Sequence, residues 1–181
     1  MKATVIESKR LIFKPISLEH LSQDYVDWMN DPDVIRYLES GGDYSLSKLE
    51  NYISEIVQRD IYFWGIHTKE SKLHIGNIKI DPISVKHGRG EYGILLGRKS
   101  EWGKGFAKES TIRILNYCFD VLCLRKITLG VVADNIAALQ LYKKLNFKQE
   151  GVYKSHSFHN GKYCDVIRMA KFNPGFYIDQ Q

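Results

Sequence analysis

Several features that would place this chain in a specialised class are scarce in its sequence. No apolar run approaches the roughly 20 residues that cross a bilayer, and the first residues, MKATVIESKRLIFKPI, lack the apolar stretch and cleavage site of a signal peptide. The three cysteines, Cys118, Cys123 and Cys164, form no CxxC pair, which argues against a disulfide framework. We therefore expect a cytoplasmic protein with reduced thiols.

The sequence also lacks internal repeats, linkers and low-complexity tracts. Its 181 residues, 44% apolar and 26% charged, are typical of a globular protein, so we predict one domain over residues 1–181. The net charge of +5 suits a polyanionic partner but does not separate nucleic acid from a phosphate-bearing cofactor. Because the strands carry no RNA-recognition signature and no helix-turn-helix pattern is clear, we expect neither a nucleic-acid nor a membrane partner.

What the sequence does contain is an alternation of helical and strand patterns. The predicted helices begin at Ser17, at the capping box Ser47-Lys48-Leu49-Glu50, at about Gly105 and at Asp134 or Asn135. The predicted strands, the last two joined by a turn at Asn160-Gly161, cover residues 11–15, 61–68, 73–83, 91–97, 126–133, 148–158 and 162–172. This order predicts one mixed α/β fold with mostly antiparallel strands.

The stretch GRKSEWGKGFAKES, residues 97–110, combines three glycines with four cations at the start of a helical pattern. A nucleotide-triphosphatase P-loop is excluded, because five residues separate Gly97 from Gly103 and Gly105 stands where Ser or Thr must reach magnesium. Two interpretations remain, a plain strand-to-helix turn with solvated lysines and a pyrophosphate site in which backbone N–H groups at the helix start bind the anion.

Two blocks of this sequence resemble the GNAT superfamily of N-acetyltransferases. SEWGKG matches the frame of its cofactor motif, with Ser100 where the family prefers Gln or Arg, and NIAALQLYKKLNF places Asn135 seven residues before Tyr142, as the family does. The segment EYGILLGRKSEWGKGFAKES looks most like the branch of ribosomal-protein-alanine and nucleotide-amino-sugar acetyltransferases. The resemblance implies the GNAT fold, with a central sheet of about seven strands and about four helices.

The same resemblance implies a site for acetyl-coenzyme A. Tyr142 would be the general acid that protonates the departing thiolate, although an apolar helix face also explains a tyrosine there. Asn135 would bind the cofactor arm, in addition to or instead of capping its helix. The other implied cofactor-binding residues are Ile94, Leu95, Leu96, Ser100, Glu101, Trp102, Gly103, Lys104, Gly105, Phe106 and Ala107.

The general base is less well defined by the sequence. Glu91, at the start of the strand before the glycines, and His87, in the preceding turn, are both candidates, and each is also explained as a solvated surface group. His156 and His159 lie three residues apart, but no further Cys or carboxylate completes a metal site. We therefore expect no metal.

The acceptor is expected, from the resemblance, to meet residues 28–44 and 154–163. Asp31, Asp33, Glu39 and Asp43 make the first segment acidic, which suits a cationic amine, although such charges are usually only solvated. The resemblance thus implies an acetyl-CoA-dependent transferase that acetylates a protein N-terminus, a nucleotide-linked amino sugar or a small amine, and that forms a homodimer. The alternative is a non-catalytic CoA-binding sensor.

Overall fold

The computed structural model describes three ranges of the chain, residues 3–59, 61–159 and 161–176. Within them the chain forms two compact units, residues 3–81 with 93–110 and residues 82–92 with 111–176. The boundaries between the units fall inside two strands and one helix, so these three elements contribute residues to both units. Every helix in the described ranges is too short or too polar to cross a membrane.

The first unit is based on four strands that pair in chain order, each antiparallel to the next. These strands are β1 Ile6–Glu7, β2 Leu11–Pro15, β3 Tyr62–Thr68 and β4 His74–Ser84, whose last residues lie beyond this unit. All residues of β3 are buried, as expected of a strand whose aromatic and aliphatic side chains alternate between two covered faces. Gly65 of β3 pairs with Asn77 of β4.

Three helices complete the first unit, α1 Gln23–Asn30, α2 Pro32–Ile35 and α3 Leu46–Gln58. The predicted start at Ser17 is wrong for α1, because Ser17 opens only a 3-10 turn and Leu21 is extended, so the helix begins again after Ser22, which accepts a hydrogen bond from the Tyr25 N–H. The predicted capping box is also displaced, because Ser45 caps α3 by accepting from the Lys48 N–H.

The second unit contains strands in the spatial order β5-β6-β8-β7, of which only β5 and β6 are parallel. Its elements are β5 Arg89–Leu96, α4 Phe106–Asn116, β6 Lys126–Val132, α5 Ile136–Lys144, β7 Lys148–His159 and β8 Lys162–Phe172, of which β5 and α4 are shared with the first unit. The register between β5 and β6 runs from Arg89 opposite Lys126 to Glu91 opposite Thr128. A π-helical turn, Tyr117–Val121, extends α4.

The predicted fold class, a mixed α/β fold with mostly antiparallel strands, is confirmed. The described residues contain eight strands and five α-helices, and the two elements that the sequence pattern does not predict, β1 and α2, are the shortest of each kind. Gly161 has a left-handed φ of 77°, as a hairpin turn requires, while Asn160 of the predicted turn lies outside the described residues.

Candidate active site

The glycine loop, defined as residues 103–106, has the backbone of an anion-binding turn. Gly103 and Gly105 adopt left-handed φ angles of 77° and 81°, which a residue with a Cβ atom rarely adopts. A Cβ atom built on Gly103 would meet no other atom within 4 Å. The loop is therefore open at this position, and a ligand can approach its main chain closely.

The glycine loop also has N–H donors to offer to such a ligand. α4 begins at Phe106, and the first N–H groups of a helix have no partner within the helix. No hydrogen bond among the described residues uses the N–H of Gly103, Lys104 or Gly105. Together with the positive end of the helix dipole, these donors fit a pyrophosphate group.

An ion pair that the sequence pattern does not reveal braces the glycine loop. The Glu109 carboxylate accepts hydrogen bonds from Ser8 Oγ and the Arg10 N–H, each at 2.7 Å, and from Arg10 Nε at 2.6 Å. Arg10 also donates to the Lys104 carbonyl oxygen at 3.0 Å, and its guanidinium lies 4.4 Å from the centre of the Phe106 ring. Burial alone would raise the pKa of Glu109, but these donors and the Arg10 charge outweigh it and lower that pKa.

Trp102 and Glu101, which directly precede the glycine loop, both make polar contacts with residues close to them in the chain. Trp102 is exposed, and its Nε1 donates to the Leu96 carbonyl oxygen at 2.8 Å. Lys104 Nζ lies 3.0 Å from the Glu101 carboxylate, so this predicted phosphate-binding cation is already paired. The loop therefore offers backbone donors more directly than side-chain charge.

Two other predicted cofactor residues lie on either side of the glycine loop. Ser100 is exposed in a short 3-10 turn, Lys99–Glu101, that precedes the loop. Ala107 is half-buried in the first turn of α4. The structure thus places both close to the loop along the chain, and their contact with a cofactor stays a prediction.

A cavity of about 340 Å³ lies in the first unit, beside the end of β5. We call it the tyrosine cavity, because Tyr25, Tyr37, Tyr44 and Tyr52 line it. Two predicted cofactor residues of β5, Ile94 and Leu95, form part of its wall. Its volume and its aromatic lining are those of a site for a small molecule.

The tyrosine cavity combines neutral aromatic groups with few charges. Burial raises the pKa of Tyr52 to about 12 and that of Tyr25 well above its usual range, so both phenols stay uncharged, and aromatic ring faces attract cations. Among its described lining residues, Glu39 is the only carboxylate and Lys79 the only ammonium group. Asn77 adds a buried amide, 3% exposed.

The acidic segment expected to meet the acceptor is mostly neutralised within the first unit. Lys99 Nζ lies 2.7 Å from Asp31 and 3.0 Å from Asp33. Lys48 Nζ lies 2.6 Å from Asp43. Of the four predicted carboxylates, only Glu39 lines the cavity, so the expected negative charge is reduced to a single group.

Tyr142, the predicted general acid, lies on α5 in the second unit and is only 7% exposed. Its ring packs against those of Tyr92 and Phe147, with centroids 6.0 and 5.6 Å away. Burial raises the pKa of Tyr142 far above its usual range, so the phenol keeps its proton at neutral pH. At neutral pH the phenol therefore carries the proton that a general acid needs, and its role as that acid stays a prediction.

Asn135, the predicted contact of the cofactor arm, caps α5. Its Oδ1 accepts a hydrogen bond from the Ala138 N–H at 3.2 Å, as expected of an Asn at the start of a helix. The predicted cap is thus confirmed at Asn135, and its Nδ2 keeps two donors for another partner. Contact with a cofactor stays a prediction.

The two candidate bases, Glu91 and His87, have different surroundings in the second unit. Glu91 Oε2 accepts hydrogen bonds from Thr128 Oγ1 and, at 2.7 Å, from Arg168 Nη2. His87 is exposed in the turn before β5, and its carbonyl oxygen lies 3.5 Å from Arg125 Nη2. Glu91 is thus held in one orientation by two partners.

The described residues contain no group of three His, Cys, Asp or Glu arranged to hold a metal ion.

Comparison with known proteins identifies the family. The sequence model of the acetyltransferase (GNAT) domain matches residues 10–148. The chain therefore belongs to the GNAT family. A spermidine N(1)-acetyltransferase of Escherichia coli is 30% identical over 73% of this chain and 75% of its own, and the uncharacterized N-acetyltransferase YoaA of Bacillus subtilis is 29% identical over 90% and 93%.

A solved GNAT structure extends this similarity to the fold. The spermidine N-acetyltransferase of Vibrio cholerae in complex with CoA and spermine has a TM-score of 0.84 and 26% identity, covering 92% of this chain and 97% of that one. GNAT enzymes use acetyl-CoA and acetylate an amine, and this protein is accordingly an N-acetyltransferase. The open glycine loop fits the pyrophosphate of that co-substrate.

Proposed function

We propose that this GNAT enzyme acetylates a small primary amine that enters the tyrosine cavity. The observation that carries the proposal is the cavity itself, which has about 340 Å³ of space, an aromatic lining and one carboxylate. A cation or an amine in equilibrium with its ammonium form is attracted by tyrosine faces and by Glu39. The relatives named for spermidine acetylation support an amine of this size.

The glycine loop and the end of β5 hold the co-substrate in this proposal. The N–H groups of Gly103, Lys104 and Gly105 bind the pyrophosphate, and the Arg10–Glu109 ion pair keeps the loop in position. The main chain of β5 at residues 94–96 contacts the pantetheine arm and provides an N–H for the oxygen of the thioester. Asn135 adds a hydrogen bond to the arm from its free Nδ2.

Two protons must move during the transfer. The amine nitrogen bonds to the acetyl carbon while the carbon–sulfur bond breaks, so the amine loses one proton and the sulfur gains one. Tyr142 gives its phenolic proton to the sulfur as the carbon–sulfur bond breaks, and burial ensures that the phenol is protonated before this step. Glu91, either directly or through a water, is one candidate for the group that accepts the amine proton, and His87 is the other.

The resemblance to the branch of ribosomal-protein and amino-sugar acetyltransferases leaves larger acceptors as alternatives to a small amine. A protein N-terminus or a nucleotide-linked amino sugar would place only its amine-bearing end in a cavity of this volume. A sensor that binds CoA without turnover is the non-enzymatic alternative. The homodimer that the family resemblance implies is compatible with each of these functions, so the oligomeric state does not distinguish between them.

A two-stage experiment tests the proposal. Acetyl-CoA should raise the melting temperature, since it binds the native state. An acceptor panel of small amines, a peptide with a free N-terminus and a nucleotide-linked amino sugar should then release free thiol fastest with a small amine. Stabilisation without turnover on any acceptor would favour the sensor, and turnover only on the peptide or the nucleotide sugar would exclude a free small amine as the acceptor.

A further inference from the structure

Asn77 holds a buried hydrogen-bond donor that nothing in the described structure satisfies. The residue lies on β4, is 3% exposed and lines the tyrosine cavity. Its Nδ2 is buried without an acceptor among the described residues. A buried donor left unpaired destabilises a folded protein, so the unpaired Nδ2 calls for a functional explanation.

The orientation of the Asn77 amide follows from its neighbour His74. His74 Nε2 lies 2.9 Å from the Gly76 carbonyl oxygen and 3.0 Å from Asn77 Oδ1. An imidazole nitrogen between two oxygen acceptors must carry the proton, so His74 donates and the oxygen of Asn77 faces it. A flipped amide would place two donors against each other. Nδ2 is therefore the atom left for another partner.

A second donor lies on the same strand. Lys79 follows Asn77 by two residues, so their side chains leave β4 on the same face, and Lys79 also lines the cavity. Its ammonium is 4.0 Å from Asp81, whose carboxylate is bound by Arg59 at 2.9 Å. The part of the cavity wall that β4 forms thus carries the Asn77 amide, with its unpaired Nδ2, and a loosely paired cation, whereas Glu39 and the tyrosines make up other parts of the lining.

These two donors discriminate between classes of amine. A hydrocarbon polyamine has no oxygen, and the lone pair of its reactive nitrogen is needed for attack on the thioester. A carbonyl or carboxylate oxygen elsewhere in the acceptor can accept from Asn77 Nδ2, and a carboxylate also gains from the Lys79 charge. An amine with such an oxygen would satisfy the buried donor, and a bare polyamine would leave it unpaired.

We infer that the acceptor is an amine that also carries a carbonyl or carboxylate oxygen, as in an amino acid or an aminoacyl amide, and that Asn77 binds this oxygen. This inference rests on the proposed function, because it concerns the same cavity. It makes Asn77 a specificity-determining residue, with Lys79 adding a preference for the charged carboxylate over the neutral amide.

Matched pairs of amines test this inference. Lysine and cadaverine differ only by a carboxylate, as do tyrosine and tyramine, and tyrosine amide retains a carbonyl oxygen without the charge. The kcat/KM measured by thiol release should be roughly tenfold or more higher for the oxygen-bearing member of each pair, as expected for a hydrogen bond to a charged group. Equal or lower values for the oxygen-bearing members would overturn the inference. No acetylation of any amine would instead overturn the proposed function and the inference with it.

Two variants assign the preference to these residues. Asn77→Asp keeps the oxygen that accepts from His74 but replaces the N–H donor by a second oxygen, so the preference for carboxylate-bearing amines should be lost or reversed. Lys79→Met, on a side chain that is 42% exposed, should reduce the preference for tyrosine over tyrosine amide, while Lys9→Met, an exposed lysine in the turn before β2, should leave it unchanged. A wild-type preference in either variant would exclude that residue from recognising the oxygen.

Discussion

The glycine loop and the tyrosine cavity, both in the first unit, are built in different ways. The loop is four consecutive residues, and its first three are exposed and have backbone N–H groups that no described hydrogen bond uses. The cavity is lined by side chains from α1, α3, three strands and the segment that follows α2. One site therefore depends on local backbone conformation, and the other depends on how distant segments pack.

This difference separates what the enzyme shares with its family from what is its own. A backbone site tolerates any side chains provided that glycines allow the left-handed angles, so it suits a co-substrate common to many enzymes. A cavity lined by side chains changes with each substitution in its wall. We therefore expect the loop to define the acetyl donor and the cavity to define the amine.

The largest effect is expected from a substitution at Tyr142, the proposed general acid, because the reaction of the bound amine with the bound acetyl-CoA needs its proton. Tyr142→Phe keeps the ring that packs on Tyr92 and Phe147 but removes the proton for the departing thiolate. We expect kcat to fall by roughly a hundredfold, with the Kd for acetyl-CoA nearly unchanged. Steady-state kinetics and calorimetry measure the two quantities, and Tyr163→Phe, on an exposed residue of β8, is the control. Unchanged kcat would remove Tyr142 from the role of general acid.

A side chain that blocks the tyrosine cavity should lower the kcat/KM for the amine without changing the binding of acetyl-CoA. Ser40 lines the cavity and is exposed, so Ser40→Trp inserts an indole there without disturbing buried packing. The kcat/KM for the best amine should fall by about tenfold to a hundredfold, whereas thermal stabilisation by acetyl-CoA should stay as in the wild type. Glu70→Trp, at an exposed position in the turn before β4, controls for the added indole. If Ser40→Trp weakened only acetyl-CoA binding, the cavity would belong to the co-substrate.

A substitution in the glycine loop should weaken the binding of acetyl-CoA without blocking the cavity, and Gly161 provides a matched control position for Gly103. Gly103 and Gly161 share a φ of 77°, and a Cβ atom on either would meet nothing within 4 Å. Gly103→Ala and Gly161→Ala therefore carry a similar backbone strain of roughly 1–2 kcal/mol. Only Gly103→Ala should raise the Kd for acetyl-CoA, by about tenfold, because its methyl group separates the pyrophosphate from the main chain. Equal affinities in the two variants would argue against the glycine loop as the phosphate site.

The sequence predicts the glycine loop better than the tyrosine cavity, because the loop depends on local conformation and the cavity on the packing of distant segments. The glycine loop and the spacing from Asn135 to Tyr142 are local patterns, so they are legible without a fold. The Glu109–Arg10 contact joins residues 99 positions apart, and Asn77 enters the cavity only through strand pairing and packing. Even the local errors, at Ser17 and Ser47, arise because nearby serines, Ser22 and Ser45, offer competing caps, and the choice between them depends on what the helix packs against.

The smallest expected effect concerns the histidines next to the cavity. The rings of His20, His67 and His74 lie with centroids 5.0 to 5.2 Å apart, and His74 bonds to Asn77 of the cavity wall. Burial lowers the pKa of all three, that of His67 to about 4 and that of His74 to about 3. In the unfolded chain each histidine titrates near pH 6.5.

Acid should therefore destabilise the protein through this cluster before the carboxylates titrate. Below about pH 6.5 the unfolded histidines take up protons and the folded ones do not, so the free energy of unfolding falls as pH falls toward 4 and levels off below the folded pKa values. One histidine contributes a slope of at most about 1.4 kcal/mol per pH unit. His67→Phe keeps an aromatic ring but removes one of the three protonation sites, so the slope between pH 6 and pH 5, measured by urea unfolding, should be smaller than in the wild type. Equal slopes would mean that His67 is protonated in the folded state as readily as in the unfolded one, and that the acid sensitivity of the cavity wall has another origin.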